Sequence, residues 1–163
     1  MKNICVIGGG RWGENHIRTL FEIGNLGGIV EANPKRLQEL LEQYPVKGFQ
    51  DVESALKENF DGFTIAAPAP LHYDIAKLLL EHGKSVLVEK PMTLSSETSL
   101  ELVELAKAKG AQLMVGHVLL FHPAIVKIKE LIDNGKIGEL YYIYSNRLNL
   151  GTVRTEENVF WSF

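Results

Sequence analysis

Three glycines set between a short apolar run and an amphipathic segment constrain this chain more than any other feature. In residues 2–13, KNICVIGGGRWG, the partly β-branched run Ile4 to Ile7 stops at Gly8. From Arg11 to Phe21 the apolar positions Trp12, Ile17, Leu20 and Phe21 then recur at helical spacing. The local reading is strand, tight turn, helix. Gly8, Gly10 and Gly13 stand in G-x-G-x-x-G register. In that register the first glycine permits the turn, the second lets the backbone approach a diphosphate, and the third lets the helix pack close to the strand. The N–H groups and positive dipole end of such a helix suit phosphate. The same spacing also occurs in glycine-rich turns that bind nothing. Glu31 supplies a second half to the pattern. It ends the apolar run Gly28 to Val30, roughly 20 residues past the glycines, where an acidic side chain accepts hydrogen bonds from an adenosine ribose. A solvated glutamate at a strand end would have the same spacing.

The rest of the chain repeats the alternation. Asn33-Pro34 reads as a helix start, with Asn33 as cap and Pro34 at the first helical position, and Leu37, Leu40, Leu41 and Tyr44 follow. Lys47 to Phe49 is long enough only for an edge strand, and Asp51 opens a brief helix through Leu56. A strand over Phe63 to Ala67, a helix from Leu71 to His82 closed by Gly83, and a strand over Ser85 to Val88 come next. A helix from Ser95 to Lys109 closed by Gly110 and a strand over Gln112 to Val115 complete the series. Short apolar strands alternating with helices of ten to fifteen residues imply an α/β fold, a doubly wound parallel sheet covered on both faces. Six strands by Val115 make a complete dinucleotide-binding domain, expected over residues 1–118, with its ligand crevice at the carboxyl ends of the strands.

Past Gly116 the pattern changes. Pro123 to Asn134 carries an apolar stripe of Ile125, Ile128, Leu131 and Ile132. Glu139 to Asn149 alternates with three tyrosines and reads as a strand of a different, antiparallel sheet. Residues 119–163 are therefore expected to be the truncated start of an α+β second domain, because an ending on Val159, Phe160, Trp161 and Phe163 leaves apolar groups without a closing element. Such a remnant is expected to self-associate. The net charge of −3, with lysines and arginines scattered, argues against nucleic acid or an anionic membrane as partner. No run approaches a membrane span, and the single cysteine, Cys5, lies in the first apolar strand, so a cytoplasmic setting is expected. The five histidines show no ligand spacing, and no metal is expected.

Chemistry in such a fold sits where strands end. After the fourth strand come Ala67-Pro68-Ala69-Pro70-Leu71-His72. They read either as punctuation with His72 a surface residue, or as cofactor neighbours. After the fifth strand come Glu89-Lys90-Pro91. The proline biases Lys90 to an extended backbone, and the alternatives are a solvated Lys–Glu pair or a lysine aimed at the crevice.

Taken together, these residues carry a resemblance. Gly8 to Gly13 with Trp12, Glu31 before Asn33-Pro34, Pro68 with His72, Glu89-Lys90-Pro91, and Gly116-His117 leading to His122-Pro123 resemble the glucose-fructose oxidoreductase and inositol dehydrogenase (Gfo/Idh/MocA) family. Lys136 to Leu140 is similar to that family's passage into its second domain. The stretches Ser145 to Gly151 and Asn158 to Phe163 are similar to members that oxidise the 3-hydroxyl of UDP-N-acetylglucosamine-derived sugars.

The resemblance implies a Rossmann domain binding NAD(H) or NADP(H) and a second domain that holds a sugar or nucleotide sugar and mediates homo-oligomerisation. Of the two cofactors NAD is expected, because the Glu31 charge would repel the 2′-phosphate of NADP. It implies hydride transfer with Lys90 at the reacting hydroxyl and Glu89 positioning it. Arg11, Trp12, Asn33, Ala67, Pro68, His72 and His117 would join the glycines and Glu31 around the cofactor, and Arg147 and Asn149 would face the substrate. A second-domain acid or base that usually completes the proton-transfer pair does not occur before Phe163. A catalytically silent NAD-binding module is thus the rival reading, and a nucleotide-binding regulatory domain, which would not need Lys90, is a third.

Overall fold

The computed structural model describes residues 2–146. Its elements run β1 (Ile4–Ile7), α1 (Arg11–Glu22), β2 (Leu26–Val30), α2 (Pro34–Gln43), β3 (Lys47–Phe49), α3 (Val52–Leu56) and β4 (Gly62–Ile65). They continue with α4 (His72–Glu81), β5 (Ser85–Val88), α5 (Ser96–Lys109), β6 (Leu113–Val115) and α6 (Pro123–Asp133). Short 3-10 turns occupy Ala69–Leu71 and Val118–Phe121. The six strands form one sheet in the order β3-β2-β1-β4-β5-β6, every neighbouring pair parallel. This is the doubly wound order of dinucleotide-binding folds, in which the strand order reverses between β1 and β4 and opens a crevice at their carboxyl ends.

Alternation along each strand divides the core between the two faces of the sheet. Val6 and Ile29 pack with Ile17, Leu37 and Leu40 on the side of α1 and α2. Cys5, Ile7, Val30, Phe63, Ile65 and Val88 pack with Leu79, Leu80 and Leu102 on the side of α4 and α5. Both faces are buried, which is why the strands read as unbroken apolar runs rather than alternating ones. Cys5 is fully buried, and that burial pushes its thiol up to about 12.

Local signals fix the helix ends. The Asn33 side chain accepts from the Lys35 and Arg36 N–H groups, Asp51 from Ser54, and Ser95 from Thr98. Gly110 closes α5 in the left-handed conformation, φ 64°.

The chain divides into one compact unit ending at Gly116 and a second beginning at His117. In the second unit α6 follows its 3-10 turn, and Phe121, Val126 and Ile128 are exposed. The strand expected over residues 139–149 is not formed in its described part. Residues 139–146 have no regular structure, and Tyr141, Tyr142 and Tyr144 stand more than four-fifths exposed, at 82, 83 and 81%. A strand needs a partner for its backbone N–H and C=O groups, and among the described residues none is offered. Residues 147–163, including Arg147 and Asn149, lie outside the described residues.

Candidate dinucleotide-binding site

The β1–α1 turn is built by three glycines with three different causes. Gly8 has φ 97°, and a Cβ there would come within 2.7 Å of the Ala66 carbonyl oxygen and 2.8 Å of the Ala67 nitrogen. A Cβ on Gly13 would overlap the Gly8 carbonyl oxygen. Backbone and packing thus demand both. Gly10 differs, because its φ is −72° and a Cβ there would meet no protein atom within 4 Å. Neither strain nor packing accounts for glycine at this position, and its open side faces a cleft.

That cleft, about 510 Å³, runs along the carboxyl ends of β1, β2 and β4. Its lining includes Gly8, Gly10, Arg11, Trp12, Glu31, Gln50, Ala66, Ala67, Pro68 and Leu71. Trp12, 47% exposed, stands at its edge in the first turn of α1. A second hollow of about 440 Å³ shares Gly10 and Glu31 and adds Asn33, Lys35, Arg36 and Glu39.

Main-chain donors orient the Glu31 carboxylate between the two spaces. Gly9 N–H donates to Oε2 at 2.7 Å and Asn33 N–H to Oε1 at 2.8 Å. Arg36 braces the turn from α2. Its Nε donates to the Gly9 carbonyl oxygen at 2.9 Å, and its terminal nitrogens donate to Glu14 at 2.6 Å and Glu39 at 3.3 Å. Partial burial acts to lower the Arg36 pKa, but the bonds and charges of Glu39 and Glu14 outweigh it and hold the group above its ordinary value.

Of the expected residues that do not line this cleft, Asn33 lines the second hollow and His117 lies in the second unit. Gly13 lies behind the turn, and His72, Glu89 and Lys90 gather where β4 and β5 end. His72 is neither a surface residue nor open to a ligand. It is 1% exposed, with Nδ1 2.7 Å from the Pro91 carbonyl oxygen and Nε2 2.8 Å from that of Ala67. Both partners are carbonyl oxygens and accept only, so it is the tautomer with its proton on Nδ1 that ties the start of α4 to the loop after β5, through Pro91.

The solvated Lys–Glu pair is excluded too, because Glu89 is 7% exposed. Its Oε1 lies 2.7 Å from His16 Nε2, and its Oε2 accepts from the Lys90 backbone N–H at 3.3 Å. A Cβ on Gly116 would come within 3.0 Å of the same carboxyl, so glycine there makes its room. Burial acts to raise the Glu89 pKa, yet the bond and charge of His16, with the Lys90 N–H and Lys90 charge, hold it below the usual carboxylate value. Lys90, half-buried and joined to Pro91 by a cis peptide, follows directly. His117 precedes the 3-10 turn of the second unit.

The contact of His16 with Glu89, the room that Gly116 makes for that carboxyl and the reach of Arg36 were not read from the sequence. One signal existed for His16: it follows Gly13 by three residues, one helical turn, and so shares the face that Gly13 and Ile17 bury. Among the described residues no group of three His, Cys, Asp or Glu side chains could hold a metal, and no helix is long and apolar enough to cross a membrane.

The sequence matches the model of an oxidoreductase family, Gfo/Idh/MocA, NAD-binding Rossmann fold, over residues 2–117. The chain belongs to that family. It is 30% identical over 125 residues to UDP-N-acetylglucosamine 3-dehydrogenase of Acidithiobacillus ferrooxidans, covering 77% of this chain and 40% of the relative. It is 31% identical over 143 residues to inositol 2-dehydrogenase of Corynebacterium glutamicum, covering 84% and 42%. Among solved structures, the WlbA dehydrogenase from Bordetella pertussis in complex with NADH and UDP-GlcNAcA superimposes with a TM-score of 0.81 at 26% identity, over 85% of this chain and 44% of that one. The chain thus spans less than half the length of these relatives.

Proposed function

We propose that this Gfo/Idh/MocA chain is the NAD-binding part of a dehydrogenase that oxidises a hydroxyl of a sugar or nucleotide sugar, with Lys90 at the reacting oxygen. The observation that carries the reading is Gly10. This glycine answers to no need of the protein itself, and it opens onto a cleft whose other wall is an oriented carboxylate. A dinucleotide diphosphate at the first turn of α1 and a ribose diol on Glu31 fit those two features. Bound there, NAD would accept at nicotinamide carbon 4 the hydride released as the alcohol carbon becomes a carbonyl.

The chain's own residues serve the other half of the reaction. As the C–H bond breaks, the hydroxyl proton must leave. A lysine at that oxygen stabilises the developing alkoxide as a cation, or takes the proton when neutral and passes it to water. Glu89 and His72 touch the segment that carries Lys90 and hold it in place. NAD is preferred over NADP because Glu31 would repel a 2′-phosphate, and the nearest guanidinium, Arg36, is already committed to Gly9, Glu14 and Glu39. A nucleotide sugar is favoured as substrate by similarity to the UDP-N-acetylglucosamine dehydrogenase and to WlbA.

The test is Lys90→Met in the protein carried through a complete substrate domain. Single-turnover hydride transfer should fall by roughly a hundredfold or more, with NAD affinity changed by less than about threefold. Unchanged hydride transfer would remove Lys90 from the reaction.

A further inference from the structure

The helix that presents Gly10 to the cleft also reaches the segment bearing Lys90. His16 lies six residues beyond Gly10 on α1, about 9 Å along the helix axis. Its Nε2 meets Glu89 Oε1 at 2.7 Å, across 73 residues of sequence. Glu89 is buried, so its carboxylate has few choices of partner. One oxygen takes His16, the other the backbone N–H of Lys90, and Gly116 leaves no slack behind it. His16 itself keeps a path to solvent, with its side chain 24% exposed.

We infer that His16 is a positioning residue for the reaction at Lys90: through Glu89 it locks the strand end that carries the lysine to the helix whose first turn faces the dinucleotide. Dinucleotide seat and lysine are then held by one rigid element, so the distance between them is set by α1 rather than by two independent loops. The charged groups facing the carboxyl are His16 from α1 and Lys90 from its own strand end. Their sum favours an ionised Glu89, which accepts from both sides as the geometry requires. Loosening the His16 bond frees the carboxylate to turn, and a misplacement of about 1 Å at a reacting group costs up to about a hundredfold.

The inference rests on Lys90 having the role given above, and the experiment separates the two. His16→Leu, His16→Gln and Lys90→Met are compared in the protein with its complete substrate domain, with NAD affinity followed by calorimetry and hydride transfer by single turnover. His16→Leu should slow hydride transfer about tenfold or more while NAD affinity stays within about twofold. His16→Gln, which keeps an N–H donor, should recover most of the rate. In the chain itself, without substrate, carbon-13 titration of the Glu89 carboxyl should move upward in His16→Leu. Wild-type hydride transfer in His16→Leu beside a crippled Lys90→Met overturns this inference alone. An unaffected Lys90→Met overturns both. Loss of NAD affinity in step with rate, without rescue by glutamine, would reduce His16 to a scaffold residue and also overturn it.

Discussion

Glu31 and Glu89 stand in equivalent places, each the first residue past a strand of the same sheet. The backbone N–H of each continues the ladder to the neighbouring strand at 2.9 Å, Glu31 to Phe49 and Glu89 to Ile65. Their side chains meet different surroundings. Glu31 is half-exposed and held only by main-chain N–H groups, which fix its orientation but leave lone pairs open toward two hollows. Glu89 is buried against an ionisable ring and a glycine, with its oxygens taken by the protein. One residue type at one topological position thus meets two settings. Glu31 is a carboxylate steadied by main-chain dipoles at a rim with lone pairs left open, and Glu89 is a carboxylate buried beside a histidine with both oxygens engaged.

That contrast is open to attack in order of expected size. Glu89→Gln should slow hydride transfer by roughly ten- to a hundredfold in the protein with its substrate domain, while NAD affinity stays within about twofold. Stopped-flow absorbance of the nicotinamide measures the first and calorimetry the second, and a matched loss in both would erase the distinction from Glu31. Glu31→Gln should do the reverse. NAD binding should weaken about tenfold, the scale of one charged hydrogen bond, with hydride transfer at saturating cofactor nearly unchanged and the preference over NADP narrowed. Tighter binding of NADP than NAD by the unaltered chain would break the reading of Glu31 as the ribose residue.

The smallest effect is on stability against pH. Glu89 is held below its ordinary 4.5, so its contribution is fully present above that value and drains away as pH falls through the lower folded one. Thermal melting between pH 6 and pH 3.5 should show this as a shallower acid-side fall in Glu89→Gln than in the unaltered chain, the remaining slope coming from Asp51, Asp61, Glu97 and Glu101, which are also held below their ordinary values. An identical slope in the variant would mean that the carboxyl is not paired.

The parts of this molecule that were legible in sequence are those governed by neighbours along the chain. Asn33, Asp51 and Ser95 cap helices because a short polar side chain reaches N–H groups two or three residues on, and Gly110 ends one because only the left-handed region turns the chain there. The glycine register at Gly8 and Gly13 is likewise a local demand of one tight turn. The contacts that assemble the strand ends cross 73, 27 and 19 residues, as His16–Glu89, Arg36–Gly9 and His72–Pro91. Nothing in local spacing announces such pairs, because the sheet order brings them together only after folding. The strand expected from the tyrosine alternation is missing over the described residues 139–146 for a related reason: alternation describes a face, but the ladder that makes a strand needs a second segment.

Cys5 has a practical consequence. The only thiol of the sequence is sealed in the middle strand region of the sheet and held almost wholly protonated at neutral pH. Toward maleimides and disulfides the folded chain therefore behaves as though cysteine-free. A single cysteine placed at exposed Gln50, on the rim of the larger cleft, would carry a dye alone, without first deleting a native residue from the core. The cleft can thus be fitted by one substitution with an optical reporter that tests the proposed dinucleotide binding there.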